Sequence, residues 1–353
     1  MKKFCVFSGF LGSGKTTTMI VLTKYYSLHY GKAAMISNDL GHGVNLADNK
    51  LAALSGCRAS EMTDECICFQ HENLAAKLNS FFNEGCELVI SDIPGFGVGA
   101  LEHVYFGLSE KFPGQFELAP FTVLIEPQTV KILRSGGDSG VCYIHNSQLK
   151  EADLIVFNKC DTISSAQKDD YAKWLKASFP DAKVICISAL KEEGLEELSQ
   201  ALRSSSASMR HPDINYESGK LINAMDSISE YYFQYRALVC CNNFDGNAYL
   251  SDLAEAVRGS ISSAGYEIPH LKLLAWEPEG DFGKVDLIGK NRAIEITQSF
   301  KNACTDIAVI LNASGICPAE PLDEIITSAA YSTSEKYNLE ITPFKKECFN
   351  MGD

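Results

Sequence analysis

Short apolar runs alternate with longer helical stretches through roughly the first 200 residues of the chain. The runs predict buried strands over residues 4–7, 33–37, 87–91, 121–125, 152–157 and 184–187. The stretches between them predict helices over residues 18–30, 72–83 and 195–202. Because strands that alternate with helices form parallel sheets, this pattern predicts an α/β domain with a mostly parallel sheet.

A different pattern follows a serine-rich segment that holds Ser204, Ser205, Ser206 and Ser208. Strands are predicted over residues 235–241, 271–276, 293–298, 307–313 and 339–344, and helices over residues 249–264 and 322–337. This β-α-β-β-(β)-α-β order favours a smaller α+β domain of the ferredoxin-like kind. We therefore predict two domains, residues 1–205 and 206–353, and expect the second to recognise a partner. A cluster of Tyr231, Tyr232, Phe233 and Tyr235 marks either an exposed binding surface or packing between the domains.

Composition narrows the classes of function. The 353 residues are 46% hydrophobic and 22% charged, which is typical of a soluble globular protein. A formal net charge of −14 disfavours nucleic acid as a partner, because phosphate backbones are bound by clustered Lys and Arg. No long apolar segment or export signal is evident, so we expect no membrane contact and a cytoplasmic location, where the thirteen cysteines are thiols.

The most informative stretch is VFSGFLGSGKTT, which follows the first predicted strand and opens the first predicted helix. Glycines at such a turn let successive backbone N–H groups converge on phosphate oxygens, beside the positive end of the new helix. Lys15 is expected to reach the β- and γ-phosphates, and the hydroxyl of Thr16 to bind Mg²⁺. The predicted phosphate-binding residues are Gly9, Gly12, Ser13, Gly14, Lys15, Thr16 and Thr17.

Two further motifs follow predicted strands. In D-I-P-G, Asp92 is expected to hold Mg²⁺ through water, and the N–H of Gly95 to face the γ-phosphate. In N-K-C-D, Asp161 is expected to accept hydrogen bonds from the guanine ring, with Asn158 and Lys159 beside it. Ser188 and Ala189 follow the next strand, where a backbone N–H can meet guanine O6. Since strand ends gather at one edge of an open α/β sheet, the three motifs together predict a guanine nucleotide site.

Cysteines gather between the second and third motifs, in the segment TDECICFQ. Cys66 and Cys68 form a C-x-C pair, which is either a transition-metal site or two unconnected thiols of an irregular segment. Two thiolates are an incomplete site, because Zn²⁺ prefers four ligands. Groups that are able to complete it are Cys57, His42, Asp39 and Glu65.

Together, these motifs resemble those of the CobW-like metallochaperone GTPases, which are related to the urease and hydrogenase nickel-insertion GTPases. The resemblance rests on GFLGSGKTT, N-D-L-G, C-I-C, D-I-P-G and the Q-L-K-E-A-D that precedes N-K-C-D. It implies that the protein binds GTP and GDP together with Mg²⁺, and that it carries Zn²⁺ or another transition metal as cargo. It also implies a client metalloprotein as a partner and a homodimer that forms in a nucleotide-dependent way. It also implies that Asp39, in the switch position, lies near Mg²⁺ or the attacking water and acts with Lys15 and Asp92 in catalysis. The alternative is that Asp39 only caps a turn.

The sequence departs from the family pattern in two places. The family motif C-x-C-C here ends in Phe69, which removes a soft ligand, and Asp92 replaces the usual Glu. Three functions therefore stay open: a GTPase that delivers a metal, a GTPase that assists a cobalamin- or corrinoid-dependent enzyme without carrying metal, and a nucleotide-gated binding module with negligible turnover.

Overall fold

The chain folds around two separate β-sheets, one parallel and one antiparallel. The computed structural model describes residues 2–38, 47–63, 66–136, 139–240, 242–289 and 292–352. The chain divides into two units, one of Met1–Leu40 with Ala52–Leu221 and one of Gly41–Leu51 with Ile222–Asp353. Each unit contains one of the sheets.

The sheet of the first unit has the strand order β3-β2-β4-β1-β6-β7-β8, with β5 beside β1, and its pairings are parallel. Its central strands are fully buried, as their continuous apolar runs predict. The strands are β1 Lys3–Ser8, β2 Ala33–Asn38, β3 Ala59–Met62, β4 Leu88–Asp92, β5 Glu117–Leu118, β6 Thr122–Ile125, β7 Leu154–Phe157 and β8 Lys183–Cys186. The predicted α/β class is confirmed.

Helices connect these strands, as parallel pairing requires. They are α1 Lys15–His29, α2 Ala47–Leu54, α3 His71–Asn83, α4 Gly107–Lys111, α5 Pro127–Arg134, α6 Gly140–Glu151, α7 Ser165–Ser178 and α8 Leu195–Ser204, with a π-helical turn at Leu101–Phe106 and a 3-10 turn at Cys160–Thr162. The strand β3 was not expected, because its sequence ASEM carries no apolar run and three of its four residues are partly exposed. Its position at the sheet edge explains that composition.

The serine-rich segment lies on the first unit. The Ala207 N–H donates to the Leu118 carbonyl (2.9 Å), and Arg210 donates to the Ala152 carbonyl (2.6 Å). The division of the domains after residue 205 stays a prediction, and the chain directly beyond that point is hydrogen bonded to the parallel-sheet unit.

The sheet of the second unit is antiparallel, with the order β12-β11-β10-β13-β9-β14. The subset β10-β13-β9-β14, together with two helices packed against its apolar face, has the predicted ferredoxin-like arrangement, which is confirmed. A further strand pair, β11 and β12, extends one edge. The elements are α9 Gly219–Asp226, β9 Ile228–Val239, α10 Gly246–Ser263, β10 Glu267–Trp276, β11 Phe282–Leu287, β12 Glu295–Gln298, β13 Asp306–Ile316, α11 Ala319–Lys336 and β14 Leu339–Asn350.

The aromatic cluster of β9 is buried. Tyr231, Phe233 and Tyr235 alternate along the strand and belong to the core of the second unit, where the Tyr235 and Tyr249 hydroxyls are 2.7 Å apart. Tyr232, on the opposite face, is 1% exposed. Of the two alternatives for this cluster, an exposed binding surface is wrong, because all four side chains are buried. Tyr231, Phe233 and Tyr235 pack within the core of their own unit.

Among the described residues, every helix is either too short or too polar to cross a membrane.

Candidate functional site

The glycine-rich loop between β1 and α1 has the backbone conformation that phosphate binding requires. Gly9, Gly12 and Gly14 have φ values of 130°, 77° and 90°, which disfavour residues with a side chain. A Cβ atom on Gly9 would lie 2.4 Å from the carbonyl oxygen of Leu124 in β6. The loop therefore passes close to the neighbouring strand, and glycine is the residue that fits there.

The first turn of α1 brings the predicted phosphate-binding residues together. Lys15, the first residue of the helix, extends its Nζ across the loop to the carbonyl oxygen of Gly9 (2.5 Å). Thr16 and Thr17 follow in the same turn, whose N–H groups give the loop a partial positive charge. The hydroxyl of Ser13 is buried and has no hydrogen-bond partner among the described residues. A buried donor of this kind, beside a lysine and a helix N-terminus, fits a phosphate oxygen.

Asp92 lies at the carboxyl end of β4, opposite Phe7 of β1, and is 5% exposed. Its Oδ1 accepts a hydrogen bond from the N–H of Asn38, the last residue of β2 (2.8 Å). The predicted Mg²⁺ carboxylate therefore lies at the same sheet edge as the phosphate loop. Asp39, which follows Asn38, lies outside the described residues.

Asn38 was not predicted as a site residue, although it begins the N-D-L-G motif. Its buried side chain donates from Nδ2 to the Met62 carbonyl (3.3 Å) and accepts at Oδ1 from the Ile67 N–H (3.0 Å). Ile67 is the central residue of C-I-C. The buried side-chain amide of Asn38 thus connects β2, whose last N–H donates to Asp92, to the cysteine segment. The signal in the sequence that could have indicated this site residue was an asparagine at the end of an apolar strand.

The sulfur atoms of Cys66 and Cys68 lie 2.8 Å apart in a hydrogen-bonded pair, and the Cys68 N–H also donates to the Cys66 sulfur (3.4 Å). Hydrogen bonding to Cys68 lowers the pKa of the Cys66 thiol, against the opposing effect of burial. The same bond and burial raise the pKa of Cys68. Two converging sulfurs, one of them biased toward thiolate, are a suitable start for a soft-metal site.

Of the predicted completing ligands, only Cys57 is described, and it makes its contact elsewhere. Cys57 directs its sulfur to the Ile20 carbonyl of α1 (3.7 Å), and Asp39, His42 and Glu65 lie outside the described residues. In the described part of the chain, no group of three or more His, Cys, Asp or Glu residues is arranged to hold a metal ion. Phe69, which stands in the place of the family's last cysteine, is 69% exposed.

The turn that follows Asp92 is held by a close contact with the phosphate loop and by hydrogen bonds from α6. A Cβ atom on Gly95 would lie 2.7 Å from the Leu11 side chain of the phosphate loop. Gln148 of α6, which is 1% exposed, donates from Nε2 to the carbonyls of Gly95 and Gly97 (both 3.0 Å). Gln148 belongs to the Q-L-K-E-A-D segment, but its hydrogen bonds to this turn were not predicted.

Phe10 of the phosphate loop packs between two rings, with centroid distances of 5.3 Å to Phe96 and 4.4 Å to His145. Burial lowers the pKa of His145 to about 4, so its imidazole is neutral at physiological pH. The loop therefore rests on an apolar support.

The N-K-C-D motif joins the phosphate loop directly. Asn158, 2% exposed, donates from Nδ2 to the Ser13 carbonyl (3.0 Å) and accepts at Oδ1 from the Ala189 N–H (3.1 Å). The Ala189 N–H, one candidate for guanine O6, is thus bonded to Asn158 in this structure. Asp161 accepts a hydrogen bond from the Ser188 hydroxyl (2.7 Å). Lys159 has a left-handed backbone with φ of 58°.

The structure therefore gathers the predicted residues of all three motifs, as far as it describes them, along the carboxyl edge of the parallel sheet. Parallel strands place such loops together. Asn158 connects the phosphate loop to Ala189, and Asn38 connects Asp92 to the cysteine segment.

Comparison with known proteins identifies the family to which the chain belongs. The family model for the nucleotide-binding domain of CobW, HypB and UreG matches residues 3–186, just over half of the chain. No curated protein sequence matches the chain. HypB from Helicobacter pylori in complex with nickel is 19% identical and covers 57% of this chain and 85% of its own, with a TM-score of 0.41. Zn(II)-bound YjiA GTPase from E. coli is 13% identical and covers 93% and 98%, with a TM-score of 0.36. Because these identities and TM-scores are low, the assignment rests on the match to the family model. By this match, the chain belongs to the CobW/HypB/UreG family and is a P-loop GTPase.

Proposed function

We propose that the carboxyl edge of the parallel sheet binds GTP with Mg²⁺ and couples its hydrolysis to the delivery of a transition metal. The phosphates lie in the loop of residues 9–17, where the positive φ glycines and the buried Ser13 hydroxyl support their binding. Thr16 and Asp92 hold Mg²⁺, and Asp161 selects guanine. Mg²⁺ contributes charge neutralisation at the phosphates when it is bound.

Hydrolysis is expected to be slow without a partner. Lys15 stabilises negative charge on the transferring phosphoryl group. The loop of residues 9–17 contains no arginine that would add a second cation. A client protein or a second copy of the chain therefore raises the rate, and Asp39 orients the attacking water.

The observation that carries the coupling is the hydrogen-bonded connection Asp92–Asn38–Ile67. Asp92 accepts from the Asn38 backbone, and the Asn38 side chain accepts from the Ile67 N–H, between the two cysteines. A change at the Mg²⁺ carboxylate when the γ-phosphate leaves is thereby transmitted to Cys66 and Cys68 through two hydrogen bonds. The cysteine segment is part of the same sheet edge as the nucleotide.

The experiment is a calorimetric titration of Zn²⁺, Co²⁺ and Ni²⁺ into the full chain, loaded with GDP or with a non-hydrolysable GTP analogue. One of these metals should bind with affinities that differ by about tenfold or more between the two nucleotide states. The Cys66→Ser, Cys68→Ser variant should lose this binding, and Asn38→Ala should reduce the difference between the states.

Cys57→Ser is the matched control, because the Cys57 sulfur faces α1 and should leave metal binding unchanged. Equal affinities in both nucleotide states, or metal retained by the double cysteine variant, would contradict the proposal.

Phe69 favours a second candidate, a GTPase that assists a cobalamin- or corrinoid-dependent enzyme without carrying metal. A large exposed apolar side chain replaces a cysteine ligand there, which suits protein contact better than metal binding. Under this alternative, the titration shows no transition metal in either state, while a corrinoid-dependent client stimulates GTP hydrolysis.

We also propose that the second unit recognises the client. The strands β12 and β14 form the edges of its sheet, and their exposed apolar residues include Ile296 (50% exposed) and Phe344 (64% exposed). Exposed apolar side chains at the edge of a sheet suit contact with a partner protein.

A further inference from the structure

Two cysteines lie together beneath the proposed guanine site. Cys160 is the third residue of N-K-C-D, and Cys186 is the last residue of β8, in register with Phe157 at the end of β7. The Cys160 N–H donates to the carbonyl of Ile187, the residue after Cys186 (3.1 Å). The Cys160 thiol donates to the carbonyl of Phe157 (3.1 Å), the residue in register with Cys186. The two thiols interact electrostatically, and both residues are partly exposed. The pair is accessible to small solutes.

The surroundings make Cys186 the more reactive of the two. Interaction with the Cys160 thiol and the nearby Lys168 and Lys176 together lower the pKa of the Cys186 thiol to about 7, against burial and Glu197. Interaction with the Cys186 thiol and burial raise the pKa of Cys160. A thiolate with a neighbouring thiol is the arrangement in which oxidation ends as a disulfide.

Three buried cysteines of the described chain differ from this pair. Burial raises the pKa of the Cys5 and Cys304 thiols to about 12 and that of Cys317 to about 11. Such thiols stay protonated at neutral pH and react slowly with oxidants.

We propose that Cys160 and Cys186 form a reversible disulfide in the presence of a peroxide, and that this modification lowers the affinity for guanine nucleotides. The Cys186 thiolate attacks one peroxide oxygen, the O–O bond breaks, and a sulfenic acid and a hydroxide form; the hydroxide takes up the proton that the Cys186 thiol had released and becomes one water. The Cys160 sulfur then attacks the sulfenic sulfur, the S–S bond forms, and hydroxide leaves and takes the Cys160 proton as a second water. Two thiols lose two electrons and one peroxide gains them, and a dithiol reductant reverses the step.

The effect on the nucleotide follows from the position of Cys160 and rests on the proposed guanine site. Cys160 lies between Lys159 and Asp161, and its thiol leaves the Phe157 carbonyl when it forms a disulfide with Cys186, which moves the backbone of Cys160. Asn158 and Asp161 are fixed by bonds to Ala189 and Ser188. Displacing Asp161 removes charge-assisted hydrogen bonds to the base, which is expected to weaken binding about tenfold or more.

The test treats the full-length chain with hydrogen peroxide, maps disulfides by non-reducing peptide mass spectrometry, and titrates a fluorescent GDP analogue before and after oxidation. In the wild-type chain, a peptide linking Cys160 to Cys186 should appear, GDP affinity should fall about tenfold or more, and dithiothreitol should restore it. Cys186→Ser should keep its affinity after oxidation. Cys240→Ser, which removes an exposed thiol elsewhere, should respond like the wild-type chain.

Absence of the Cys160–Cys186 peptide, or formation of that peptide with unchanged GDP affinity, would overturn this inference. Loss of affinity that persists in Cys186→Ser would also overturn it. Nucleotide binding by the reduced protein distinguishes a failure of this inference from a failure of the proposed guanine site. If the guanine site is wrong, the reduced protein should bind ATP and GTP analogues equally, whatever disulfides form on oxidation.

Discussion

The two sheets of this protein place their polar residues differently. In the parallel sheet, the strand ends at Ser8, Asp92 and Phe157 lie at one edge, and each continues into a loop with a recognisable motif. In the antiparallel sheet, neighbouring strands end at opposite edges, and polar residues lie within the strands. Lys284 and Asp286 share one face of β11, are paired, and are 5% and 7% exposed. The residues expected to bind nucleotide are therefore concentrated at the edge of the first sheet, whereas the buried charges of the second sheet are expected to affect the stability of its unit.

The largest effect expected from this difference is on catalysis in the first unit. Lys15→Ala should lower GTP turnover about thousandfold or more, because the cation at the transferring phosphoryl group is lost. Single-turnover hydrolysis of GTP measures this. Lys24→Ala, an exposed lysine on the same helix, is the control and should keep the wild-type rate. Turnover that survives in Lys15→Ala would place the chemistry elsewhere.

In the second unit, the expected effect is on folding. Lys284→Met should destabilise this unit by about 3–5 kcal/mol, because Asp286 is left buried without its cation. The double variant Lys284→Met, Asp286→Leu should recover most of that loss. Urea unfolding followed by Trp276 fluorescence, in a Trp174→Phe background, measures both. A single variant as stable as the wild-type chain would show that the ion pair contributes little.

A smaller effect, dependent on pH, is expected at the support of the phosphate loop. Burial holds the folded-state pKa of His145 at about 4, below the value of about 6.5 in an unfolded chain. As the pH falls from about 6.5 to about 4, the unfolded state thus binds more protons at this residue than the folded state does, and the free energy of unfolding decreases. The loss from this residue is about 2 kcal/mol between pH 7 and pH 5. His145→Gln should lose correspondingly less stability over that range in urea titrations, and an identical pH profile would contradict the assignment.

The sequence was sufficient for those features that contiguous residues determine. The phosphate loop is set by glycines at positions 9, 12 and 14, whose φ values only glycine adopts readily, so its position was predictable. The ferredoxin-like strand order of the second unit was predictable because its strands and helices have clear periodicity.

Features that depend on contacts between distant segments were not predictable. Asn158 was predicted as a site residue, but its partners were not. The hydrogen bonds of Asn38, Asn158 and Gln148 join residues between 24 and 145 positions apart, and no local pattern indicates such partners. The strand β3 was missed because an edge strand does not need an apolar run. Neither alternative for the aromatic residues of β9 placed three of them in the core of their own unit, because the sequence does not state which face of a strand a helix covers.

The most direct test of the account is the base specificity of the nucleotide site, measured by calorimetric titration of the full chain with GTP, ATP and xanthosine triphosphate in the presence of Mg²⁺. The wild-type chain should prefer GTP to ATP by about a hundredfold or more, because Asp161 accepts from two donors that adenine lacks. Asp161→Asn should reverse the preference toward xanthosine triphosphate, since the amide donates where the carboxylate accepted. Equal affinities for GTP and ATP in the wild-type chain, or an unchanged preference in Asp161→Asn, would contradict the assignment of this sheet edge as a guanine nucleotide site.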